Sequence, residues 1–280
     1  MTADEERLSP EWLALREPAD AAARAAELAE RVADLVPHSR RWVIHDLGCG
    51  TGSMGRWLAP RLAGAQHWVV HDRDPDLLAV AAATPPPAAA DGAAVTVEPR
   101  QTDLAAVGVA DLAGADLLTA SALLDLLTPD ELRRLLAACL GAGCPVLLTL
   151  SVVGQVELAP ADPLDARVGA AFNAHQRRPT ARGPLLGPDA VEATVAEAAR
   201  FGCEAVVRPS PWRLGATEAA LTAAWFTGWI GAAVEQEPAL LEDGEGYAER
   251  RLDEAGEGRL AATVGHADVL LLPAVRGEGR

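Results

Sequence analysis

Trp42-Val43-Ile44-His45-Asp46-Leu47-Gly48-Cys49-Gly50-Thr51-Gly52 is an apolar run that ends on an acid and breaks at once into alternating glycines. Such a run reads as a buried strand delivering a tight loop into a helix N-terminus, the place where α/β proteins hold an anionic or nucleotide-like ligand. Glycine spacing selects the ligand. A dinucleotide fingerprint needs glycine at the first, third and sixth positions, so that the backbone approaches a pyrophosphate and the helix then packs closely. Here glycine falls at 48, 50 and 52, and the sixth position is Ser53.

Outward from this loop, strand and helix signals alternate. Met54, Trp57, Leu58 and Leu62 mark the apolar stripe of a first crossover helix, ended by Gly64. His67 to Asp72 reads as the second strand, and its terminal Asp72 lies 24 positions after Gly48, near the spacing of a carboxylate that accepts from ribose hydroxyls. Ala94 to Glu98 is a short third strand followed by Gln101-Thr102-Asp103-Leu104, and Ala115 to Asp125 is a fourth strand with the turn beyond it. Thr128-Pro129-Asp130-Glu131 is a helix start, with a hydroxyl cap, an early proline and an acid at the third position. Pro145 to Val152 is continuously apolar, as a central parallel strand should be. Five strands alternating with helices predict a doubly wound sheet whose order reverses between strands one and four. The ligand crevice then lies over Gly48 to Gly52 and Ser121.

With Asp46 ahead of its glycines, the loop resembles motif I of the class I S-adenosylmethionine-dependent methyltransferases, and the resemblance covers roughly Trp42 to Val152. It implies an α/β fold with a mainly parallel seven-stranded sheet of order 3-2-1-4-5-7-6, helices on both faces, and extra helices at both ends of the chain. It also implies S-adenosyl-L-methionine as cofactor. Asp46, Gly48, Cys49, Gly50 and Gly52 would form the loop, Asp72 and Arg73 the ribose end, Thr102, Asp103 and Leu104 the adenine end, and Ser121 the flank of the methyl donor. A lone aspartate after a strand also serves as a helix cap, which is the alternative for Asp103. Asp125 is a substrate candidate or a polar residue on a surface turn.

The flanks carry less signal. Ser9 to His38 is helical in pattern, with Pro18 suited to the first turn of a new helix. Residues 1–40 are thus a helical cover of the sheet edge, or a lid in which Trp12, Arg16 and Arg24 close over the ligand. Residues 41–280 form the cofactor domain, with helical insertions at about 154–187 and 215–260. In the first insertion Asn173, Gln176 and Arg177 are substrate candidates, and His175 is the candidate general base because imidazole titrates near neutral pH. Their alternative is a solvated helix end, where basic residues favour the dipole. Trp212 and Arg213, just past the sixth strand, complete the substrate set; His45 and His71 read as hydrogen-bonding residues of the core or its loops. Trp225, Phe226 and Trp229 form a stripe that serves the core, an acceptor cavity or a homodimer seam. The tail after Val275 is polar and reads as mobile.

Composition narrows the acceptor. A net charge of -16 repels phosphate backbones, and no basic patch with interleaved aromatics offsets it, so nucleic acid is not expected as a partner. No apolar run approaches the roughly 20 residues of a membrane helix. The acidic start, Met1-Thr2-Ala3-Asp4-Glu5-Glu6, does not read as a signal peptide, which predicts a cytoplasmic protein. The four cysteines show neither metal spacing nor a disulfide framework, and no metal site is expected. After the fourth strand stands Ser121-Ala122-Leu123-Leu124 in place of the Asn/Asp-Pro-Pro-aromatic motif of amino-methyltransferases of nucleic acids. The expectation is methyl transfer to a small-molecule metabolite. Methylation of a protein or structured RNA, and a fold relative without methyl transfer, are the alternatives.

Overall fold

The computed structural model describes residues 8–35, 41–243 and 246–273. The chain opens on α1 (Pro10–Ala23), whose start is fixed by Ser9, the side chain of which accepts from the Trp12 amide. Pro18 lies inside α1, not at the start of a new helix as its position suggested. One lost backbone bond is tolerated there because α1 is fastened to the rest of the molecule by side chains. The break comes instead at Arg24 and Ala25, before α2 (Ala26–Ala33). Positions 36–38 at the end of the expected helical stretch, and the tail after Val275, lie outside the described residues.

β1 (Trp42–Leu47), α3 (Ser53–Leu58), β2 (Gln66–Asp72), α4 (Pro75–Ala83), β3 (Val95–Gln101), β4 (Leu117–Ser121), α5 (Pro129–Gly141) and β5 (Val146–Ala159) follow, as the apolar periodicities require. The start of α5 is a capping box between Thr128 and Glu131. Beyond β5 come α6 (Asp165–Gln176), a hairpin of β6 (Pro179–Thr180) and β7 (Gly183–Pro184), and α7 (Ala190–Arg200). β8 (Glu204–Pro209), β9 (Trp212–Leu214), α8 (Ala219–Gln236), α9 (Leu240–Asp243), α10 (Tyr247–Gly256) and β10 (Ala261–Leu272) complete the chain.

The main sheet runs β3-β2-β1-β4-β5-β10-β8, parallel from β3 to β5 and antiparallel at β10, which is the expected order. It has eight strands, not seven. β10 is 12 residues long, and after β8 leaves it at Ala267 its earlier half is free to pair with β9, Val264 opposite Trp212. For the same reason β5 does not stop at Val152: it runs to Ala159 against β10, so the first part of the span 154–187 is strand, not helical insertion.

Three apolar clusters hold these layers. Leu132, Leu135, Leu136 and Cys139 of α5 pack with Ala190 and Ala198 of α7 on one face, and Leu28, Val32, Trp57 and Leu58 pack around Trp42 and Trp68 on the other. A third cluster joins α6, α8 and α10 to the far ends of β5 and β10 through Phe226, Trp229, Tyr247 and Val264. Phe226 and Trp229 are therefore core residues, and Trp225 stacks on Trp229 at their edge. Arg251 crosses this cluster and bonds both oxygens of Asp165 at 2.9 Å.

Candidate functional site

The glycine loop lies at the carboxyl ends of β1 and β4, where the strand order reverses. Gly48, Gly50 and Gly52 have φ of 67°, 54° and 85°, a left-handed series that side chains resist, so the loop turns on glycine at each alternate step. The Gly50 amide donates to Asp72 Oδ2 at 2.8 Å, and the Asp74 amide donates to Asp72 Oδ1 at 3.0 Å. Asp72 thus ties the loop to the end of β2. Cys49 is buried against the loop, and burial pushes its thiol well above the ordinary range, so it is no nucleophile.

Asp46 is fully enclosed. Its Oδ1 accepts from Thr119 Oγ1 at 2.7 Å, while its buried Oδ2 has no partner among the described residues. Burial pushes this carboxyl up to about 6, against the opposing pull of Thr119 and Arg24. Facing the same crevice is Arg24. The extended backbone at the end of α1 turns it inward, and its Nη2 donates to Ser53 Oγ at 3.2 Å and Ser121 Oγ at 3.1 Å. Its Nε and Nη1 are buried with no acceptor among the described residues. Burial lowers its pKa, with Asp20, Asp268 and Asp46 acting the other way. A guanidinium and a carboxylate, each partly orphaned, therefore flank the loop.

The remaining cofactor candidates sit at the rim. Asp103 is exposed, and its Oδ1 caps the short turn of 104–106 by accepting from the Ala105 amide, the alternative weighed for a lone aspartate. Thr102 bonds the His71 ring, and Arg73 is exposed with its carbonyl accepting from Gln101. Leu104 and Leu123 lie over Gly48, and Leu13 of α1 lies over Gly50. α1 is latched there by the Glu17–Arg56 ion pair at 2.6 Å and by Trp57 Nε1 donating to the Ala21 carbonyl.

The substrate candidates divide. Asp125, His175 and Gln176 line one cavity of about 390 Å³ with Leu126, Phe172, Arg178, Leu185 and the edge of α8. His175 Nε2 lies 3.1 Å from Glu235 Oε2 and its Nδ1 lies 3.3 Å from Arg178 Nη1, so the neutral ring donates to Glu235 and accepts from Arg178. Asn173 and Arg177 point elsewhere: Asn173 donates to the Gly154 carbonyl, and Arg177 forks onto Asp189 at 2.6 Å. Trp212 is buried with Nε1 donating to Asp20, and Arg213 is exposed on β9. The stacked pair His45 and His71 shares a 3.0 Å bond between ring nitrogens inside the sheet.

The sequence suggests a lid position for Arg24, and the structure brings it against Ser53 and Ser121 beside the glycine loop. A charged residue at the break of an alanine-rich helix was the only signal for it. Leu123, Phe172 and Arg178 carried none, because their roles depend on what folds against them. Among the described residues no cluster fit for a metal ion occurs, and no helix is long and apolar enough to cross a membrane.

Residues 44–142 match a family model described as a methyltransferase domain. No curated protein matches the chain in sequence. Among solved structures, the chain is similar to the cyclopropane synthase MmaA2 from Mycobacterium tuberculosis, at 14% identity over 94% of each chain and a TM-score of 0.47. It is also similar to a SAM-dependent methyltransferase from Geobacter sulfurreducens in complex with S-adenosyl-L-homocysteine, at 16% identity over 95% of this chain and 98% of that one, TM-score 0.44. A third, a SAM-dependent methyltransferase from Thiobacillus denitrificans with the same ligand, shares 14% identity over 96% of this chain and 100% of that one, TM-score 0.45. The sequence match spans β1 to α5 and contains the glycine loop, Asp72 and Ser121, within a sheet of order 3-2-1-4-5. Over residues 44–142, then, the chain is similar to a methyltransferase domain.

Proposed function

We propose that the chain methylates a small molecule held in the cavity beside β4, with S-adenosylmethionine seated on the glycine loop. One observation carries this reading. The turn after β4 serves both places at once, since Leu123 packs over Gly48 while Asp125 and Leu126 wall the cavity. A cavity of about 390 Å³ falls within the roughly 300–1,000 Å³ usual for small-ligand pockets.

The orphaned groups fit the cofactor. Its amino-acid head is a zwitterion, and the buried Nε and Nη1 of Arg24 suit the carboxylate while Oδ2 of Asp46 suits the ammonium. Asp72 keeps lone pairs for ribose hydroxyls beyond those taken by Gly50 and Asp74. When bound, the cofactor supplies a methyl carbon already activated by a positive sulfur. The protein's work is then alignment and exclusion of water, which contribute roughly 7–11 kcal/mol in well-oriented reactions. α1 excludes water by lying over the loop through Leu13. His175 is the base for an acceptor that carries a proton, taking it at Nδ1 once Arg178 withdraws, while Glu235 holds the ring through Nε2.

Titration calorimetry with S-adenosylhomocysteine and 5′-methylthioadenosine tests the reading. The first should bind at a one-to-one ratio and at least tenfold more tightly than the second, which lacks the amino-acid head. Arg24→Met should narrow that gap. A folded chain that binds neither nucleoside rules the reading out.

A further inference from the structure

The cavity beside β4 is not neutral in its demands. Four lining residues carry titratable or charged groups: Asp125, His175, Arg178 and Glu235. Three satisfy one another, since Arg178 donates to His175 and His175 to Glu235. Asp125 is left out of that chain. Among the described residues it accepts from no other residue, its carboxylate bonding only its own backbone amide. It is partly exposed and lines the cavity.

The cation that acts on it is held elsewhere. Arg16 acts on Asp125 only through space, because its guanidinium is forked onto Asp20 at 3.0 and 3.2 Å and lies 4.9 Å over the Trp212 ring. Burial pushes the Asp125 carboxyl above the usual range, as expected of a carboxylate without a partner. Gln176 adds a second acceptor, for it lines the same cavity and its buried Oε1 has no donor among the described residues. The rest of the wall is apolar or small: Phe172, Leu126, Leu185, Gly228, Gly231 and Ala232.

We propose that this cavity selects a ligand bearing a protonated amine, with the ammonium on the Asp125 carboxylate and an apolar body against Phe172, Leu126 and Leu185. A cation is the ligand charge that gives this carboxylate a partner once the ligand excludes water from it, and an N–H donor also serves the Gln176 oxygen. An anionic ligand would instead sit beside Asp125 and have to draw Arg178 off His175. With Arg178 and Glu235 cancelling, the carboxylate of Asp125 is the uncompensated charge of the lining, in a chain of net charge -16. That the ligand is the methyl acceptor rests on the proposed function; the preference for an amine rests on the cavity alone.

The test uses three probes of one shape: 2-phenylethylamine, 2-phenylethanol and phenylacetate. Each is titrated calorimetrically into the full chain at pH 7.5, with and without saturating S-adenosylhomocysteine. The amine should bind at least tenfold more tightly than phenylacetate, with the alcohol between them. Asp125→Asn should remove most of that preference while leaving the affinity for 2-phenylethanol within about twofold. Phenylacetate binding as tightly as the amine, no binding of any probe, or an amine preference that survives Asp125→Asn each overturns the proposal. The ranking on the unmodified chain decides the matter even if the variant folds poorly. Absence of S-adenosylhomocysteine binding bears on the proposed function alone, because the probe ranking is read without it as well.

Discussion

Gly50 donates its amide to Asp72 Oδ2 across 2.8 Å, so the loop after β1 is fastened to the last residue of β2 by a carboxylate that also faces the crevice. Asp72 therefore has a structural duty besides any contact with ribose. Asp72→Ala should lower folding stability by about 1 kcal/mol, the usual worth of such a bond. It should also weaken S-adenosylhomocysteine at least tenfold. Urea denaturation and calorimetry read the two effects separately, and unchanged affinity would confine Asp72 to the structural part.

The latch of α1 makes a different kind of prediction. Glu17 and Arg56 form a forked pair at 2.6 and 2.7 Å, but their side chains are 27% and 22% exposed, so solvent screens much of the attraction. Glu17→Gln should cost less than about 1 kcal/mol of global stability. Local opening should change more than that. Amide hydrogen exchange across residues 10–23 should quicken in the variant, and bound S-adenosylhomocysteine should slow it in the unmodified chain.

Arg251 anchors the third cluster from the inside. It bonds both oxygens of Asp165, Oε2 of Glu254 and the Pro160 carbonyl, and its side chain is 2% exposed. Removing one partner of such a set strands the others in a poor dielectric. Arg251→Met should destabilise the chain by about 3–5 kcal/mol in urea denaturation, far more than loss of any surface pair.

Acid should act through the buried histidines. Burial, with His71 beside it, pushes His45 down to about 4, and burial with Arg16 does the same to His266. Both would take a proton near 6.5 in the unfolded chain, so between about 6.5 and 4 the unfolded state binds more protons and stability falls as pH falls. Asp46 acts with the opposite sign: its carboxyl, raised from 3.8 to about 6, holds a proton better when folded and gains stability on acidification across that window. Imidazole resonances followed by NMR separate these contributions. His45 and His266 should remain neutral at pH 5.5, and titration of either near 6.5 contradicts their burial.

The fold was legible where side-chain periodicity is dictated by local burial. β1, β2, β4 and the first half of β5 were legible because strands covered on both faces are mainly apolar, β3 at the sheet edge because it alternates, and the start of α5 and the glycine loop because the Thr128 capping box and the glycine series need particular residue types. The boundaries that failed were decided elsewhere. Pro18 reads as a helix start in isolation, and only the contacts of α1 keep it interior. The continuation of β5 to Ala159 and the addition of β9 follow from pairing with β10, a partner more than a hundred residues distant in sequence.

The same division holds for the site. The glycine loop was legible in the sequence, since three alternate positions at positive φ favour glycine. The sequence also offered Asp125, His175 and Gln176 without showing that they share a cavity wall. Only the tertiary structure decided that Arg24 reaches the glycine loop while Asn173 and Arg177 bond elsewhere, and that no cation among the described residues bonds Asp125. Those outcomes depend on which charges burial leaves unpaired, and burial is a property of the packed molecule rather than of any stretch of the chain.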